Sequence, residues 1–438
     1  MRVLMMVSLM IISTSAHSSN WRGALISKLQ TDNRYTNNAS FFGEMIGRFD
    51  YEDSRRELQL GADVLLRGGN YGFNDRQDFY RLFVQKGFHS LHTTVKLGRF
   101  DQADSLGLYT LNGASALYQA ENKQFSVELY GGVPQRFDDL VQVKGDALYG
   151  IKANLQKTLD WHSDALRMSL DRMDLRLGYQ HFDGQDVSRY VPLRDRQTAK
   201  AGGDKLAFGL NLSGTLGWSW AQKYQSRLIG TYRADTNNFE DGQFETEIDV
   251  NKRTRLRGVY EYYRPDRYAN PTFREQFYSQ YGFGRQELLR VSAHQRWKEL
   301  LDYFVGLTYT TRSIGDSGFG MNGGISARYL GQFKSGLEVD HLEVAGDKVS
   351  ALYLKNEYQV NSRHNLLLSG ALRHEQKALY GDNWVKGVEV RWNMMIKNNL
   401  LTSLSVNYIW NTRLQDEYLA AFQVTYYFDN FKPKKRND

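Results

Sequence analysis

The residues that could do chemistry are few. The chain has 9 histidines and no cysteine among 438 residues. His89 and His92 stand three apart, but no Glu accompanies them as in a zinc-protease helix, and the flanking residues read as a turn and the start of a strand. No Gly-x-Ser-x-Gly elbow occurs, nor a phosphate-binding glycine loop ending in Lys-Ser or Lys-Thr. His181, His294 and His374 could each act as a base in a hydrolase, yet nothing in their surroundings marks a nucleophile. Neither an enzymatic activity nor a metal is expected. The absence of cysteine excludes disulfides, thiolate metal sites and covalent haem attachment, so no cofactor is expected in this chain and any redox group would belong to a partner.

What remains is electrostatic. Asp63, Arg67, Lys96, Glu128, Lys152, Asp174, Arg176, Arg255, Arg257, Lys355, Glu357, Arg373, Glu389 and Arg391 are charged residues standing on the polar side of alternating segments. Both signs occur. Opposed acids and bases across a pore would orient hydrated solutes, and an excess of Arg would favour anions. The plainer reading is that they pair between strands and keep one face of a sheet wet. The formal charge of +7 is spread thinly, with a basic run only at Lys432 to Arg436, so nucleic-acid binding is not expected.

The elements that must position these charges are strands. After Trp21, alternating segments recur at intervals of roughly 19 residues, giving about 22 candidates, with 20 possible. Leu58, Leu60, Ala62, Val64 and Leu66 oppose Gln59, Gly61, Asp63 and Leu65. Val388, Val390, Trp392 and Met394 oppose Glu389, Arg391 and Asn393. The composition suits strands and tight turns, with 28 Tyr, 23 Phe and 39 Gly against only 5 Pro. Mean hydropathy is -0.57 and no apolar run is long enough for a spanning helix. A membrane barrel gives the same values, because only every second side chain meets lipid.

Periodicity alone does not separate a soluble sandwich from a barrel; the connections do. Links after odd-numbered segments are long and polar, as at Asp101 to Asn112, Pro134 to Asp146, Asp183 to Asp204 and Pro265 to Gly284. Links after even-numbered segments are mostly short, as at Asp53-Ser54, Asn251 to Arg253 and Asn361 to Arg363. Long loops on one side and tight turns on the other are the asymmetry of outer-membrane barrels. Pro134, Pro192, Pro265 and Pro271 are expected in the long links. The links Asp183 to Asp204 and Pro265 to Gly284 could fold into the lumen or lie at the surface.

The two ends extend the reading. Met1-Arg2, an apolar run from Val3 to Ile12 and small residues to Ser18 describe a signal peptide over residues 1–18. Near the other end, Phe422, Val424, Tyr426 and Phe428 alternate with Ala421, Gln423, Thr425 and Tyr427. That final strand resembles the C-terminal recognition strand of bacterial outer-membrane β-barrels. The resemblance implies an all-β, single antiparallel up-and-down transmembrane barrel over residues 19–429. It also implies contact with lipid and with the barrel-assembly machinery, and both termini in the periplasm. Residues 430–438 form a basic tail that could meet an acidic partner. No segment suits a plug domain.

A further stretch, Leu97-Gly98-Arg99, then Gly107-Leu108-Tyr109-Thr110-Leu111-Asn112-Gly113 and Tyr130-Gly131-Gly132-Val133-Pro134, is similar to a segment of porin-like barrels. These include the sheath of porin-cytochrome electron conduits. The resemblance implies a porin-like channel or, alternatively, a sheath around a multihaem cytochrome partner.

Replacing Phe428 with Asp is expected to reduce the yield of folded barrel several-fold, whereas deleting residues 432–438 is expected to leave it unchanged. Heat-modifiable gel mobility of membrane fractions measures both.

Overall fold

The computed structural model describes residues 19–33, 40–69, 76–104, 107–135, 147–183, 203–218, 221–234, 237–263, 286–298, 300–312, 317–329, 331–344, 347–377, 381–412 and 416–429. The proposed signal peptide, the basic tail and most of the two longest links lie outside these residues.

Strands account for nearly all of the described chain. The first eight are β1 (Ser19–Asp32), β2 (Ser40–Asp53), β3 (Leu58–Gly69), β4 (Arg76–Phe88), β5 (Thr93–Asp104), β6 (Gly107–Gln119), β7 (Phe125–Gln135) and β8 (Ala147–Ser163). There follow β9 (Met168–Asp183), β10 (Gly203–Trp218), β11 (Ala221–Arg233), β12 (Asn238–Asp249), β13 (Thr254–Tyr263), β14 (Gln286–Trp297) and β15 (Leu301–Arg312). The last are β16 (Gly318–Tyr329), β17 (Phe333–Val344), β18 (Asp347–Asn361), β19 (His364–Lys377), β20 (Gly381–Lys397), β21 (Leu400–Asn411) and β22 (Glu417–Asp429). Each pairs antiparallel with the next, and β1 pairs with β22, so a single 22-stranded sheet closes on itself.

Residues directly opposite in a ladder share a face, so one assignment propagates round the barrel. Phe422 faces Leu29 and Tyr426 faces Leu25, and the same parity carries Val64, Leu177, Leu228, Leu307, Leu354 and Val390. This is the outer face, and its large apolar side chains are exposed. Aromatic residues collect towards its two ends, for example Trp384 and Trp410 at one and Trp297, Tyr329 and Trp392 at the other. Trp384 and Trp392 share β20, separated by about 27 Å along the strand at ~3.4 Å per residue. With a tilt of ~40° that is roughly 20 Å of height, close to the apolar band of a membrane barrel.

The inner face is not uniform. Across β4 to β9 one ladder row reads Phe83, Gly98, Gly113, Gly132, Leu148, Phe182. A Cβ on Gly113 would lie 2.0 Å from the Gly131 carbonyl oxygen and 2.6 Å from the Gly132 Cα. The glycines let the sheet bend hard with its inner side concave. Side chains converge there, and Phe83, Phe100, Leu111, Tyr130 and Leu148 pack into a buried apolar cluster with Phe182 against it. The seam uses a similar fit outside: the Phe428 ring lies where a Cβ on Gly23 would sit, and Trp21 flanks it with ring centroids 5.8 Å apart.

Three sequence expectations need correction. The link expected from Asp101 to Asn112 is mostly strand, since β5 ends at Asp104 and β6 begins at Gly107. The sequence places the twelfth segment near Phe244, after a polar link from Ala234 to Gly242; β12 instead begins at Asn238. In both places the sequence has no clean period of two, and β12 also carries a register shift opposite Thr231 and Tyr232. Pro134 lies inside β7, opposite Leu111, but the ladder to β8 ends at Gly132, so its missing N–H costs no bond.

Gly113→Ala is expected to cost about 1–3 kcal/mol by overpacking backbone against backbone. Gly370→Ala, where a Cβ meets nothing within 4 Å, is expected to be neutral or mildly stabilising. Urea midpoints of the two refolded variants test the difference.

Candidate functional site

The candidate site is the inner wall. Ladder parity puts all fourteen charged residues singled out above on this face, and the geometry sorts them into groups. Arg81 on β4 donates to Asp50 Oδ1 on β2 at 2.9 Å and to Asp63 Oδ1 on β3 at 3.0 Å, tying three strands together. Arg67 reaches Glu44 at 3.4 Å. Lys152 pairs with Glu128 at 2.7 Å and lies over the Tyr130 ring. Arg176 and Asp174 pair at 2.8 Å along β9.

On the far side, Arg255 contacts Asp249 at 2.8 Å and Glu247 at 3.3 Å, and Arg257 contacts Glu245 at 2.6 Å. Arg391 pairs with Glu389 at 2.6 Å, and Arg373 with Glu375. Glu357 accepts a hydrogen bond from Asn365 Nδ2 at 3.0 Å. Two lysines differ from the rest. The Lys96 ammonium lies 5.1 Å from the Phe83 ring centre and 5.4 Å from that of Phe100, a cation held against the apolar corner. Lys355 lines the main cavity and has no ion pair among the described residues.

That cavity, of about 1010 Å³, is bounded by the inner sides of β12 to β21. The apolar cluster occupies the opposite wall, from β4 to β9. The interior is thus two-sided: a packed corner where an apolar cluster sits among charged pairs, and an open, charged flank.

Several wall residues escaped the sequence reading. Glu44 and Asp50 belong to a period-two run in β2, and Glu245, Glu247 and Asp249 to another in β12, so the alternation carried their signal. Arg81 was hidden by a register shift, since Asp63 faces Arg81 while Val64 faces Phe79, leaving Tyr80 as the extra residue. The inward aromatic cluster had no signal, because an apolar residue on the polar parity looks like noise until the bend is known.

The histidines are scattered. His181 shares a 2.7 Å contact with Asp204 Oδ1 and stacks on Tyr149, both on the outer face, and His374 stacks outward on Trp384. His294 points inward, 3.3 Å from Ser292 Oγ and stacked on Phe304, with no carboxylate orienting its ring among the described residues. Among those residues no group of three or more His, Asp or Glu side chains could hold a metal ion. The arrangement can hold water and screen or orient charge; among the described residues it brings together no nucleophile with a base and an orienting acid.

The sequence matches no family model and no curated relative. Solved structures do match in fold. The iron transporter FrpB from Neisseria meningitidis aligns at 10% identity and a TM-score of 0.51, over 93% of this chain and 81% of that one. The siderophore receptor PirA from Pseudomonas aeruginosa aligns at 10% identity and 0.50, over 93% and 80%. The translocation pore of the P pilus usher PapC aligns at 9% identity and 0.46, over 93% and 99%. At such identities the likeness is one of fold.

Arg81→Gln is expected to lower stability by about 1–3 kcal/mol, since two inward carboxylates lose a charged partner. In a cycle with Asp63→Asn the double variant should recover part of the loss, giving a coupling of about 0.5 kcal/mol or more in urea unfolding.

Proposed function

We propose that this chain is an outer-membrane β-barrel whose lumen gives a passive, porin-like route across the membrane, with both termini on the periplasmic side. One observation carries the reading: a closed sheet whose outer face is an exposed apolar belt and whose inner face is a charged wall around open space. An exposed apolar surface this extensive is costly in water and suited to lipid. The wall then works without chemical turnover, its side chains replacing part of a solute's hydration as it passes. Acids and bases stand together on the wall, many of them paired, and leave a mixed field, which suits hydrated solutes over a single strongly held ion. The fold likeness to outer-membrane transporters is in keeping with this reading.

Purified protein in planar bilayers is expected to give stepwise conductance without any added partner. A silent bilayer that passes electrons only after a multihaem cytochrome is added would contradict the channel and favour a sheath.

A further inference from the structure

The rim formed by the short turns is built asymmetrically. On the β2 to β9 half, acids and bases alternate: Arg55 and Arg56 beside Glu57, Lys123 beside Glu121, and Arg167 beside Asp164. On the half from β12 to β19, the described turn residues carry Lys252, Arg253, Lys298 and Arg363 and no acid; Glu299 lies outside the described residues. The cations are held on rigid supports. Asn251 Oδ1 accepts from the backbone N–H of Arg253 and Thr254 at 2.8 and 2.9 Å, and Asn361 Oδ1 from those of Arg363 and His364 at 2.8 and 3.0 Å.

This half of the rim adjoins the open flank of the lumen. Lys252, Arg253, Lys334 and Lys355 all line the cavity, and none forms an ion pair among the described residues. Ladder parity puts Lys334 and Lys355 on the inner face, where water and not lipid would reach them. Below the turn tips the cavity lining carries five Lys and Arg against six Asp and Glu, so the excess of positive charge lies at the turns themselves.

We propose that this mouth is a docking surface for an extended acidic segment of a partner protein on the turn side. Size selects a polypeptide over a small anion. From the β12–β13 turn to the β18–β19 turn the rim spans six strand spacings, or about 29 Å at ~4.8 Å each. A small anion meets one or two of these cations, whereas about nine extended residues reach all of them. Location selects it over membrane phospholipid, because Lys334 and Lys355 stand on the inner face, away from lipid. The proposal takes its membrane side from the reading above, but its test does not need conductance.

A fluorescein-labelled ten-residue polyglutamate peptide, titrated against the detergent-purified full chain, is the probe, read by anisotropy at low salt. Binding is expected, weakening with salt. K252Q/R253Q/K334Q/R363Q together should weaken it at least tenfold, and R56Q/K123Q/R167Q less than threefold. Heat-modifiable mobility verifies that each variant is folded, and an uncharged Gly-Ser peptide should not bind. Absence of binding, or equal loss in the two variants, overturns the proposal. So does intact peptide binding when the four substitutions instead abolish association with phosphatidylglycerol nanodiscs, since the rim would then be a lipid anchor. A silent bilayer with intact peptide binding counts against the channel alone.

Discussion

Closure of the backbone ladder is the constraint on which everything else rests. A strand edge in hydrocarbon leaves N–H and C=O groups without partners at several kcal/mol each, so a sheet in lipid has to meet itself. Here β1 and β22 complete the ring through paired positions from Arg22↔Asp429 to Asp32↔Leu419. Antiparallel pairing of neighbours throughout fixes the parity of every side chain, and parity separates the lipid-compatible face from the wall. The charges then pair because they are brought side by side on one face.

Closing so many strands would leave a wide round bore, and the row of glycines at β5 to β7 changes its shape. Where backbones approach too closely for a Cβ, the sheet turns a corner and aromatic side chains fill it. A cavity of about 1010 Å³ lies along β12 to β21, where small residues such as Gly324, Gly336, Ala371 and Gly387 alternate with charged ones. An apolar corner thus gives the lumen its sidedness.

Much of this was legible in the sequence because an exposed apolar face and a charged wall place opposite demands on adjacent residues. In β3, β10 and β20 the period of two is clean, and strand positions and inward charges follow from it. Legibility failed where that contrast is lost. At Asp101 to Thr110 and Asn238 to Gly242 the sequence shows no clean alternation, and strand looks like loop. At Tyr80 one extra residue reverses parity and conceals Arg81. Phe100 and Leu111 are inward but apolar, since a buried corner selects for packing and not for wetting, and no local pattern announces a bend made by pairing distant glycines.

The central claim is that one parity faces water inside and the other faces lipid. The absence of native cysteine makes it directly testable by single substitutions. Ser369→Cys and Glu389→Cys on the wall, and Leu354→Cys and Val390→Cys on the outer face, can be probed in reconstituted vesicles with a charged, membrane-impermeant maleimide. The account predicts labelling at the first two and protection at the last two. Labelling of Leu354→Cys and Val390→Cys with protection of Ser369→Cys and Glu389→Cys, or labelling of all four alike, would contradict it.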